Sequence, residues 1–146
     1  QLVELIFKHR PDIILFVGQA AGRSKPMLER LAINFFLDQE IVEEAAAAYW
    51  QTLPDFEEWP ATFEEADLNL GLSNFAGSNL TNHAFYSALH LAETEQLPLE
   101  VGLFHLPQLA EQSDSDMENA VCITTEEAVA GLTLLVDELL NFLENE

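Results

Sequence analysis

The feature that most limits how this chain can fold is the run DIILFV at 12–17, closed between Pro11 and Gly18. An unbroken apolar run of that length, with no alternating polar face, has the pattern of a strand buried on both sides. Two more runs follow: LNLGLSN at 68–74, which alternates, and LEVGLF at 99–104, which ends before Pro107. Stretches with helical spacing surround them. Residues 2–9 set Leu2, Leu5 and Ile6 on one side until Pro11 stops the helix. Residues 60–67 predict a short helix with Pro60 early in its first turn. Residues 80–93 carry an apolar face of Leu80, Ala84, Phe85, Ala88, Leu89 and Ala92. The last helix opens with Thr124 and Glu127 at capping-box spacing, and its pattern predicts a buried stripe of Val129, Leu132, Val136, Leu139, Leu140 and Leu143. Residues 30–36 read as extended, and 40–52, with four consecutive alanines, read as helix on propensity alone. Strands alternating with one-sided helices imply an α/β fold: a three-layer α/β/α sandwich around a mostly parallel sheet. With no internal repeat and no linker, 1–146 reads as a single domain.

Composition narrows the partners. A chain of 146 residues can bury a substantial core, and 49% hydrophobic content with 10 Phe argues against disorder despite a net charge of −21. Nucleic acid and anionic membrane are disfavoured, because binding either polyanion needs clustered Lys and Arg, and this chain has 5 against 26 Asp and Glu. The single cysteine, Cys122, cannot close an internal disulfide, which fits a reducing cytoplasm. No apolar run approaches the roughly 20 residues of a membrane span, and no secretory leader pattern opens the chain. Gln1 begins inside a helical pattern, so a segment upstream is expected.

In parallel α/β sheets the working groups gather at the carboxyl ends of the strands. Four segments of this kind carry polar or glycine residues: Gln19 through Arg23, Ser73 through Thr81, the stretch around Glu29, and His105. Taken singly, each has an ordinary structural reading. Thr81 suits a helix cap or first turn, His105 a hydrogen-bonded strand-end histidine, and Glu29 beside Arg30 a surface ion pair. Other signals lead nowhere. GQAAGR lacks the middle glycine of a dinucleotide fingerprint. Asp114, Asp116 and Glu118 begin like an EF-hand, but Asn119 replaces its glycine and Thr125 its closing glutamate. His83 and His90 are seven residues apart, too far for an i, i+4 metal pair, so neither a metal nor a cofactor is expected.

Four motifs taken together carry a resemblance: GQAAGR at 18–23, MLERLAIN at 27–34, SNFAGSNLTNH at 73–83 and GLFHLPQLAEQ at 102–112. They are similar to those of the pyroglutamyl peptidase I family, cytoplasmic cysteine peptidases that remove an N-terminal pyroglutamate and have a phosphorylase/hydrolase-like fold. The resemblance implies that Thr81 occupies the position of the catalytic cysteine, His105 that of the base and Glu29 that of the carboxylate orienting it. Gln19 falls in the loop whose backbone meets the lactam, and Leu80 would wall the apolar side of the pocket. The resemblance also implies a strand near AYWQTLP in place of the propensity-based helix. It further implies a strand and a Gly-Phe-Pro-Phe-Gly type loop upstream of Gln1, and a 35–45 segment shorter than the family's. Pyroglutamyl peptides are the implied partners, and homo-oligomerisation stays open. With threonine at the nucleophile position, the expected outcome is a binding or regulatory domain without turnover. The alternatives are a hydrolase of the same fold with an altered nucleophile or substrate, and an acidic interaction domain without enzymatic activity.

Overall fold

The computed structural model describes residues 1–112 and 122–145. In chain order the elements are α1 (Leu2–His9), β1 (Ile13–Gln19), β2 (Met27–Glu29), β3 (Leu31–Ile33), β4 (Ala48–Trp50), α2 (Trp59–Glu65), β5 (Gly71–Ser73), α3 (Leu80–Thr94), β6 (Glu100–Leu106), β7 (Gln108–Leu109), β8 (Cys122–Ile123) and α4 (Thr125–Asn145). A 3-10 turn over Ala110–Gln112 follows β7. The fold is of the α/β class, with a mostly parallel mixed sheet of strand order β1-β6-β2-β5. All three predicted runs contribute strands to that sheet, and β1 and β6 are neighbours. Between β6 and β5, however, lies β2. Its three residues are too few to show a period.

The extended 30–36 segment contains β3, which pairs antiparallel with β4 (Leu31 with Trp50, Ala32 with Tyr49, Ile33 with Ala48). The helix expected over 40–52 does not form. Residues 48–50 are strand, and Glu44 has φ 57°, outside any right-handed helix. Alanine's helix preference amounts to under about 1 kcal/mol per residue. It is outweighed here by the β3 ladder and by Asn34, whose Oδ1 accepts from the N–H groups of Ile41 (2.8 Å) and Val42 (3.0 Å) and whose Nδ2 donates to the Val42 carbonyl (2.8 Å). The strand implied near AYWQTLP is the one that forms.

The residues gather into two compact units. The first comprises Gln1–Gly18, Leu28–Leu53 and Ser73–Phe104. Its core joins Ile6, Ala32, Ala76, Phe85, Tyr86, Ala88, Leu89, Leu99, Val101 and Leu103. Helix α3 packs on β3 and β4, and α1 on α3. Of the predicted α1 face, Ile6 is buried and Leu2 packs beside it, while Leu5 stays exposed. Leu80 is likewise exposed, so the buried side of α3 begins at Asn82 and continues through Phe85, Tyr86, Ala88 and Leu89.

The second unit comprises Gln19–Met27, Pro54–Leu72 and His105–Glu146. It buries Trp59 and Phe63 of α2, Leu70, Ile123, and one face of α4. The predicted capping box is present: the Thr124 N–H donates to the Glu127 carboxylate (2.8 Å), and the Glu127 N–H donates to Thr124 Oγ1 (3.1 Å). The predicted stripe of α4 is corrected. The helix buries Ala128, Gly131, Leu135 and Leu139, and leaves Val129, Val136, Leu140 and Leu143 exposed. The sequence offers two adjacent apolar stripes, and the larger side chains marked the wrong one. Of the acidic loop expected at 111–119, and of the EF-hand-like residues Asp114, Asp116, Glu118 and Asn119, everything from 113 to 121 lies outside the described residues. Among the described residues, no helix is long and apolar enough to cross a membrane.

Candidate functional site

The best-defined local geometry lies at the start of α3. Ser73 closes β5, and its Oγ accepts from the Phe75 N–H (3.1 Å), turning the chain out of the strand. Gly77 then adopts φ 81°, a conformation that side-chain-bearing residues rarely take, and a Cβ there would lie 3.1 Å from Asn79 Nδ2. The turn delivers Asn79 to the N-cap of α3, where its Oδ1 accepts from the Asn82 N–H (3.0 Å). The same oxygen accepts the hydroxyl hydrogen of Thr81, at 2.6 Å. Thr81 therefore sits in the first turn of a 15-residue helix, near the positive end of the helix dipole, with its hydroxyl engaged by the cap.

The neighbouring Asn82 is fully buried. Its Oδ1 accepts from the Ile33 N–H (3.0 Å), and its Nδ2 donates to the carbonyls of Ile33 (3.0 Å) and Phe35 (3.2 Å). These bonds tie the first turn of α3 to β3, four residues beyond Glu29. Glu29 ends β2 and is wholly buried. That removes the reading of Glu29 with Arg30 as a surface ion pair. The Arg30 N–H instead donates to the Ser73 carbonyl (2.7 Å), and its guanidinium reaches Asn74 Oδ1 (3.4 Å). Glu29, Leu80 and Thr81 thus belong to the first unit, on segments joined by named hydrogen bonds.

His105 and Gln19 belong to the second unit. His105 is in β6, with only 1% of its surface exposed. Gln19 is the last residue of β1, and its Nε2 donates to Gln112 Oε1, which also accepts from the Leu109 N–H (3.3 Å). Just beyond these strand ends, the Ala20 N–H donates to the Leu106 carbonyl (2.7 Å). Among the described residues no group of three His, Cys, Asp or Glu side chains gathers as a metal site would require. Cys122 is half-buried in β8.

Sequence reasoning missed Asn79 and Asn82. For Asn79 a signal was present, since asparagine directly before an amphipathic stretch is a strong N-cap. Asn82 gave none, because a polar residue off the apolar stripe of a helix reads as exposed. A third polar cluster also went unread. Tyr86 donates its hydroxyl to the Ala46 carbonyl (2.6 Å), and Tyr49 Oη lies 3.0 Å from His90 Nδ1. Burial, with the adjacent Tyr49 adding to it, pushes the Tyr86 hydroxyl up to about 12.

Comparison with known proteins places this geometry in context. Residues 2–141 match the family model for pyroglutamyl peptidase. A pyrrolidone-carboxylate peptidase from Alkaliphilus oremlandii is 33% identical over 92% of this chain and 68% of its own length. One from Thermosipho melanesiensis is 31% identical over 97% of this chain and 75% of its own. Among solved structures, a mutant pyrrolidone carboxyl peptidase from Pyrococcus furiosus superposes with a TM-score of 0.89 at 27% identity, covering 97% of this chain and 75% of that one. Pyroglutamyl peptidase I from Bacillus amyloliquefaciens superposes with a TM-score of 0.82 at 28% identity, covering 91% and 69%.

Proposed function

The chain belongs to the pyroglutamyl peptidase family, and from that premise we propose that it binds an N-terminal pyroglutamyl residue without cleaving it. In this reading 1–146 acts as one pyroglutamyl-peptidase-like domain in a reducing cytoplasm. Glu29, Thr81 and His105 stand at the positions of the family's carboxylate, nucleophile and base. Gln19 and Leu80 stand at positions that face the lactam. The observation that carries the proposal is the hydrogen bond from Thr81 Oγ1 to Asn79 Oδ1, at 2.6 Å.

The argument is one of acidity and geometry. A thiol, with a reference pKa of about 8.5, yields a useful fraction of thiolate near neutrality once a helix N-terminus and a histidine favour it. An alcohol in the same place stays protonated and needs a base to take its hydrogen during attack. Threonine nucleophiles as a class use their own terminal amine for this, which position 81 cannot offer. Here the hydroxyl hydrogen is directed at a carboxamide oxygen, an acceptor that is no base. Thr81's extra methyl also crowds the approach of a carbonyl carbon. In this reading Thr81, at the N-terminus of α3, contacts a bound lactam or peptide without attacking it.

The test pairs turnover with binding. A fluorogenic pyroglutamyl amide is expected to give no release above background, while a pyroglutamyl tripeptide amide binds measurably by calorimetry and its prolyl analogue, lacking the lactam carbonyl, binds less well. Release by the unmodified protein that disappears in both Thr81→Ala and His105→Ala would overturn the proposal.

A further inference from the structure

We draw no further inference here: the strongest candidate, the exposed apolar side chains Phe35, Leu37, Phe75 and Leu80 around the start of α3, carries nothing, because nothing in the structure shows what covers them and the chain spans only 68% and 75% of the length of two relatives it matches.

Discussion

Replacing Asn82 by alanine tests the link between the first turn of α3 and β3. The side chain is fully buried and makes three hydrogen bonds to backbone groups, the Ile33 N–H and the carbonyls of Ile33 and Phe35. Alanine keeps the helix but leaves those three groups without this partner. Each such bond contributes about 0.5–1.5 kcal/mol net, so the expected loss is about 2–4 kcal/mol. For a chain of this size that corresponds to a fall in Tm of roughly 5–15 °C. Urea denaturation followed by far-ultraviolet circular dichroism measures it. Asn82→Asp should be worse at neutral pH, because a carboxylate would face two carbonyl oxygens with no hydrogen to offer. The same variant should recover part of the loss in acid, where the protonated carboxyl can donate to one of them. A loss below about 1 kcal/mol for Asn82→Ala would refute the idea that these bonds hold the start of α3 against β3.

Three further outcomes follow from the packing. Leu135→Ala should cost about 2–5 kcal/mol and Val136→Ala less than about 0.5, which a pair of denaturation curves would resolve; the reverse order would restore the stripe expected from sequence. Gly102→Ala should destabilise the first unit by about 1–3 kcal/mol, because a Cβ there would collide with the Leu53 side chain inside the core, and the same curves would show it. Tyr86 ionises near 12 in the folded chain against 10.0 ordinarily, so the unfolded chain loses this proton first as pH rises. The stabilising contribution is therefore complete below about pH 10 and disappears through about pH 12, and Tyr86→Phe should remove that part of the alkaline fall in stability measured by urea titration at stepped pH.

The parts of the fold legible in the sequence were those where one pattern dominated. DIILFV and LEVGLF became the adjacent strands β1 and β6, but only β6 is buried along its length. Strand β1, expected to be buried on both sides, stands at the end of the strand order, is half-buried and leaves Val17 exposed. An apolar run marks a strand without fixing its place in the sheet. The Thr124–Glu127 capping box was legible because both partners lie within four residues. The failures came where distant contacts decided. Residues 45–48 are all alanine, yet Asn34 and the β3 ladder fix that region as turn and strand, and neither lies within reach of a local window. On α4 the pattern gave the period correctly but not the phase, since Gly131 and Ala128 face the core and look weaker than Val129 and Val136. At the candidate site Glu29, Thr81 and His105 were singled out through family motifs, while Asn79 and Asn82, which bond to Thr81 and to β3, were not. Their roles consist of hydrogen bonds to backbone atoms, and such roles carry no hydrophobic period.

The same division separates the residues of SNFAGSNLTNH that the fold requires from one that it does not. In SNFAGSNLTNH four residues answer directly to the fold. Ser73 turns the chain, Gly77 supplies a positive φ, Asn79 caps α3, and Asn82 is buried against β3. Each substitution there would cost stability by a mechanism visible in the geometry, through strain, a lost cap or unpaired buried groups. Thr81 is different. It is only partly buried, and a hydroxyl in a first helical turn meets a ready partner in Asn79 Oδ1. Cysteine and threonine are close in size, so an exchange at this position should open no large cavity. It follows that Thr81→Cys should fold with stability within about 0.5 kcal/mol of the parent, whatever it does to turnover. A larger loss in urea titration would mean that the Thr81–Asn79 bond is itself a support of the fold.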